Sequence, residues 1–262
     1  MKRVQFEKSS LPYLLLLPQI GIICVFFLWP AAQAVYQSFL LEDAFGLSSR
    51  FVWFRNYEDM GFDADWVHSA GFTMLFSIIV SLGSLAIALL LATRANEVIR
   101  GASTYKTLLI WVYAVAAPVA GLIGNLLFNP LVGDLYKFLN ATGWDFDKAT
   151  DGFDAGFMVI LIAIWKQVSV DFIFFLAGLQ SIPKGVQEAA MLDCRSAEKR
   201  FWKITFPLLA PTTFFLLVIN ITYAFFETFG IIDVTTKGGP GGATNTLVYK
   251  VYTDGVLGAD LG

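Results

Sequence analysis

Glu188-Ala189-Ala190-Met191-Leu192-Asp193, followed by Phe201, Ile204 and Phe206-Pro207, is a charged, helix-forming block set between two strongly apolar runs. A run of about 20 apolar residues suffices to cross the hydrocarbon core as a helix. The block therefore sits at a membrane surface, as a structured projection. Outward from it, runs of sufficient length occupy about 11–36, 71–93, 107–128, 156–180 and 207–230. Backbone groups in lipid must be satisfied internally, and runs this long exclude barrel strands. The expectation is an all-α membrane protein, a polytopic helical bundle of five spans forming one domain over 1–262. Composition agrees: 56% of residues are hydrophobic, 25 are Phe and only 15% are charged. Together with a mean hydropathy of +0.64, this excludes a soluble globular domain.

The net charge of -3 matters less than its distribution. Lys2, Arg3, Lys8, Arg94, Arg100, Lys106, Lys184, Arg195, Lys199, Arg200 and Lys203 flank alternate connections, whereas Asp59, Asp63, Asp65, Asp145, Asp147, Asp151 and Asp154 occupy the opposite ones. The positive-inside rule then puts the N-terminus and the 181–206 loop in the cytoplasm. Cations spread over three loop ends form no nucleic-acid patch. Cys24 lies in the first span and Cys194 in a cytoplasmic loop, so they do not pair, and neither they nor the lone His68 have metal-ligand companions. Lys2-Arg3 before an apolar run imitates a signal peptide. The run exceeds the usual h-region of about 7–15 residues, which favours a retained helix.

In the cytoplasmic loop, Pro183 is expected at the first helical position. Lys184–Leu192 then forms a helix, Asp193 and Cys194 break it, and Ser196–Thr205 resumes it. Phe201, Ile204 and Leu208 share one face. The outer connection 37–70 is aromatic and interfacial, and 129–155 reads as an irregular exposed loop. Arg100-Gly101 marks a turn and Thr104 a helix cap. Gly238-Gly239-Pro240-Gly241-Gly242 is a loop signature.

Three ionisable residues fall within spans: Lys166, Asp171 and Glu227. Each costs about 2.5–3.5 kcal/mol at the bilayer centre even on the lenient scale, so they are expected to face the bundle interior or water. Asn220, Tyr223 and Glu227 form a polar stripe at helical spacing, and Gln167 adjoins Lys166. Two such stripes would line a hydrated path. The alternative is a Lys166–Glu227 or Lys166–Asp171 pair serving assembly alone.

The 188–207 pattern resembles the cytoplasmic "EAA" loop of permease subunits of ATP-binding-cassette importers, with Cys194 where that family usually has Gly. A glycine of positive φ there would make a non-glycine cost roughly 1–2 kcal/mol. Trp165-Lys166-Gln167, Leu179-Gln180-Ser181-Ile182-Pro183 and Tyr223-Ala224-Phe225-Phe226-Glu227-Thr228-Phe229 are similar to the fourth and fifth helices of the carbohydrate-uptake branch. Leu11-Pro12-Tyr13-Leu14, Pro18-Gln19, Phe45-Gly46 and Tyr113-Ala114-Val115-Ala116 resemble the A-type subunits of that branch that serve sn-glycerol-3-phosphate.

The resemblance implies a type I permease in a bacterial inner membrane, passing sn-glycerol-3-phosphate or a related sugar or polyol. Its partners would be a second permease, an ATPase dimer, a periplasmic binding protein and membrane lipid. Glu188, Ala189, Ala190, Asp193 and Cys194 would couple to the ATPase. Lys166, Gln167, Val170, Asp171, Asn220, Phe225, Glu227 and Thr228 would line the pathway, and Gly238, Gly239 and Pro240 would meet the binding protein. The resembled permeases have a sixth span, for which this sequence has no apolar run.

No Walker A pattern, nucleophile–base constellation or cofactor motif occurs, so the chain is expected not to be an enzyme and ATP to bind the partner. The competing classes are a proton-coupled secondary transporter using Asp171 or Glu227, and a structural scaffold.

Overall fold

The computed structural model describes residues 11–42, 48–97, 102–194 and 196–258. Lys2, Arg3, Lys8, Phe45-Gly46, Arg100-Gly101 and Arg195 lie outside the described residues. The chain divides into two compact units, Met1–Asp63 with Asp254–Gly262, and Ala64–Thr253.

In the first unit, α1 (Leu11–Ile23) and α2 (Trp29–Gln37) are joined by a wide π-turn at Cys24–Leu28. Pro12–Gln37 is long and apolar enough to span a membrane. A hairpin of β1 (Leu40–Glu42) and β2 (Ser49–Phe51) follows, with Leu40 opposite Phe51, then α3 (Arg55–Phe62). These two strands depart from an all-α reading. They persist because Asn56 donates to the carbonyls of Ser38 and Leu40, at 3.0 and 2.9 Å. Phe39 also packs on Phe51, Phe54 and Tyr57, so the aromatic connection holds itself together.

The second unit is built on two long helices, α4 (Ala64–Glu97) and α8 (Gly152–Ser181), which pack along each other. Glycine permits their approach. A Cβ on Gly83 would lie 2.8 Å from Ile164 Cδ1. Phe76, Val80, Met158, Val159, Phe172 and Phe175 fill the seam and are fully buried. The α8 start is set by Asp151, whose carboxylate accepts from the Phe153 amide at 2.7 Å as an N-cap.

The third span is not one straight helix. Lys106–Ala114 and Ala117–Leu127 meet at 111°, and these halves belong to α5 (Ala102–Ile110) with its following tight turn, and to α6 (Ala117–Leu127). Pro118 has no N–H to donate and fits only the first turn of a helix, so a new helix must start there. Thr104 lies inside α5 rather than capping it.

The 129–155 connection is ordered, against the sequence expectation. It contains α7 (Asp134–Ala141) and buries Phe146 against Phe128, ring centroids 5.1 Å apart. Buried Asp154 accepts from the Trp144 indole at 2.9 Å and the Asp147 amide at 2.6 Å. The Lys148 ammonium donates to Asn125 Oδ1, and burial pushes its pKa down. The Thr150 hydroxyl and Ala149 amide hold the exposed Asp147 carboxyl below the usual carboxylate range.

After α8 come α9 (Lys184–Asp193), α10 (Ala197–Arg200), a π-turn at Phe201–Thr205, α11 (Phe206–Leu208) and α12 (Ala210–Thr222). A second π-turn, Tyr223–Glu227, leads to α13 (Phe229–Thr235), and α14 (Leu247–Tyr252) closes the unit.

Candidate functional site

The polar residues of the spans separate into a buried node and a more open face. At the node, Asn220 of α12 joins three helices. It accepts from Gln167 Nε2 at 2.5 Å and donates to Asp171 Oδ2 at 2.8 Å and Ser84 Oγ at 3.1 Å. Gln167 and Asp171 stand one helical turn apart on α8, so both reach the same partner. All four side chains are buried, and Asp171 Oδ1 has no hydrogen-bond partner. In low dielectric such a network is strong when complete and costly when broken.

The open face holds Lys166, half-buried, with its ammonium 5.6 Å from the centroid of the Tyr223 ring. Among the described residues no carboxylate lies within ion-pair distance of Lys166, so neither expected pair forms. Val170 and Phe225 are half-buried, whereas Glu227 is exposed at the end of the π-turn. Thr228 is buried, its hydroxyl donating back to the Ala224 carbonyl at 3.0 Å. The stripe expected from Asn220 to Glu227 is thus split, because the π-turn rotates Glu227 away from the node.

Sequence reasoning missed Ser84. The signal was present: Ser69, Thr73, Ser77, Ser81 and Ser84 recur every three or four residues, and all are buried. Small hydroxyls at this spacing let membrane helices approach and hydrogen-bond.

At the projecting end, Pro183 occupies the position before α9 rather than within it. Its carbonyl accepts from the Val186 amide at 3.0 Å and the Gln187 amide at 3.3 Å. Ala190 faces inward and is buried, while Glu188, Ala189 and Asp193 are exposed and Leu192 is 89% exposed. Cys194 follows the helix at φ -127°, an ordinary extended conformation, so the replacement of glycine there carries no strain.

At the other end, Gly238 is buried at φ +77°, and a Cβ on it would lie 3.2 Å from the Tyr249 ring. Gly239 and Pro240 follow, half-buried. The Thr244 hydroxyl donates to the Gly239 carbonyl at 2.7 Å. The Leu247 amide donates to Thr73 Oγ1 at 2.9 Å, folding this loop against α4.

Residues 88–253 match the model of the family described as "Binding-protein-dependent transport system inner membrane component". The chain is 52% identical over 262 residues to the sn-glycerol-3-phosphate transport system permease protein UgpA of Brucella abortus, covering 100% of this chain and 89% of the relative. It is 51% identical, with the same coverage, to that of Rhizobium meliloti. With that of Yersinia enterocolitica it shares 46% identity over 99% of this chain and 88% of the relative. Among solved structures it is similar to a bacterial ABC transporter involved in the import of the acidic polysaccharide alginate, with TM-score 0.78 and 22% identity over 96% of this chain and 86% of that one. That likeness speaks to the fold, a helical bundle of the importer-permease kind. The other matches speak to descent, and they are to transport permeases rather than enzymes. With its membrane helices and projecting α9, the chain belongs to the family of inner membrane components of binding-protein-dependent transport systems.

Proposed function

We propose that this chain is one of two permease subunits of an ATP-binding-cassette importer that admits sn-glycerol-3-phosphate delivered by a periplasmic binding protein. The observation that carries the reading is likeness at 46–52% identity, over nearly the whole chain, to permeases bearing that transport name. The outward-facing Glu188, Ala189 and Leu192 of α9 support it, as a handle for an ATPase subunit that itself binds the nucleotide. On this reading the N-terminus and α9 face the cytoplasm, and the chain needs no cofactor of its own.

Half-buried Lys166 supports the substrate assignment. An ammonium held over an aromatic face, with no carboxylate within 4.0 Å among the described residues, suits a passing phosphate. Gln167, Val170, Phe225, Glu227 and Thr228 would share that path, while Asp171 and Asn220 hold the helices that frame it. Gly238, Gly239 and Pro240 would meet the binding protein at the opposite end. In liposomes containing the full complex, uptake of labelled sn-glycerol-3-phosphate is expected to require ATP inside and to survive collapse of the proton gradient. Uptake driven by the gradient without ATP would sink the reading in favour of proton coupling.

A further inference from the structure

Behind α9 lies a cavity of about 300 Å³ that the transport reading does not use. Its polar lining is Thr93 and Asn96 at the end of α4, Gln187 of α9, Arg200 of α10 and Thr205. Its apolar wall includes Leu179, Ile182, Ile204 and Leu208. Arg200 is half-buried, and among the described residues its guanidinium reaches the Cys194 carbonyl at a distant 3.5 Å. Among the described residues no carboxylate comes within 4.0 Å of its guanidinium. Among the described residues, then, this guanidinium lines a cavity with amides and hydroxyls and no counter-ion.

We propose that this cavity seats the headgroup of an anionic phospholipid, its phosphate on Arg200 and its acyl chains leaving along the apolar wall. Three observations choose a lipid over a soluble anion. The cavity lies beside the ends of α4 and α8, two helices long and apolar enough to cross a membrane. Leu179, Ile182, Ile204 and Leu208 give it an apolar wall that a small hydrated anion would leave unused. Arg94, Lys184, Lys199 and Lys203 are exposed on the same elements and attract acidic lipid. Arginine also offers the planar fork that phosphate oxygens match. Bound there, the lipid would brace α9 against α8 and α11. Placement in the cytoplasmic leaflet rests on the orientation proposed above, but the binding itself does not.

Native mass spectrometry of the purified complex in detergent tests this, with phosphatidylglycerol, phosphatidylethanolamine and inorganic phosphate titrated separately. Phosphatidylglycerol is expected to add one tightly held molecule per copy of this chain. Arg200→Gln should weaken that adduct about tenfold, the loss of one charged hydrogen-bond pair, and Arg200→Lys should weaken it less. Lys237→Gln, at the other end of the unit, should leave it unchanged. Equal retention of phosphatidylethanolamine, or Arg200→Gln binding like the parent, overturns the proposal. Displacement of the lipid by millimolar inorganic phosphate overturns the lipid assignment in favour of a free-anion site. The adduct is read without transport, so failed uptake and failed lipid binding remain distinguishable.

Discussion

Asn220→Ala removes the side chain that ties α4, α8 and α12 together, and its cost can be worked from the geometry. Three hydrogen bonds disappear, to Gln167, Asp171 and Ser84. Interhelical bonds in membrane proteins average about 0.6 kcal/mol, so the three come to roughly 2 kcal/mol. The larger effect is what remains. Gln167 and Asp171 are buried, and Asp171 already has one oxygen without a partner. Each buried polar group stranded in this way costs about 1–3 kcal/mol. With two such groups the expected loss is about 4–8 kcal/mol, against less than about 0.5 kcal/mol for Thr222→Ala, whose exposed hydroxyl bonds back to the Val218 carbonyl.

Asp171→Asn sharpens the test. It keeps an oxygen able to accept from Asn220 while removing a buried ionisable group, and is expected to be neutral or stabilising by about 1 kcal/mol. Reversible unfolding in mixed micelles, followed by tryptophan fluorescence, measures both. Asn220→Ala costing no more than Thr222→Ala would refute the account of the node as the internal fastening of the bundle.

Other substitutions probe different contacts. Gly124→Ala would place a Cβ 2.7 Å from Ile162 Cγ1 and closer still to its Cδ1, so a loss of about 1–3 kcal/mol is expected, recovered in large part by pairing it with Ile162→Ala in the same unfolding assay. Asp154→Ala removes two charge-assisted bonds and should cost about 3 kcal/mol, exposing the 144–151 segment to limited proteolysis. Leu192→Asp places a charge on the most exposed apolar side chain of α9. It should lower ATP-driven uptake at least about tenfold without changing unfolding. Asp147 has a folded pKa below its ordinary 3.8, so its contribution to stability is present above that value and fades as the pH falls through the folded value. Thr150→Val, which removes the largest cause, should flatten that part of the acid titration.

How much of this was legible in the sequence depended on whether a feature was local. The α9 helix was readable as Lys184–Leu192, one residue short of its end at Asp193, because helix formers, an adjacent proline and a charge pattern lie within one short stretch. The bend in the third span was also written locally, in Pro118, yet apolarity on both sides masked it and the stretch read as one span. Ser84 was missed for a different reason. A lone serine in an apolar helix carries no signal until its spacing from Ser81, Ser77 and Thr73 is noticed, and its partner Asn220 lies 136 residues away. The 129–155 connection misled because aspartates and glycines are loop formers in composition, whereas its order comes from Phe146 and Asp154 finding partners across the chain. No periodicity foretells which carboxylate will be fully hydrogen-bonded.

Two of the π-turns flank α11 and α12, at Phe201–Thr205 and Tyr223–Glu227, and α12 is fastened near its C-terminal end through Asn220. A wide turn has looser backbone bonding than the α-helix around it and yields at lower cost. On the function proposed above, a push delivered to α9 would meet the near turn first. Beyond it runs regular α12, held at Asn220 just before the second π-turn, which ends at Glu227. On that reading the segment would act as a lever with two joints, a push at one end reaching the other as a rotation about the point fastened by Asn220.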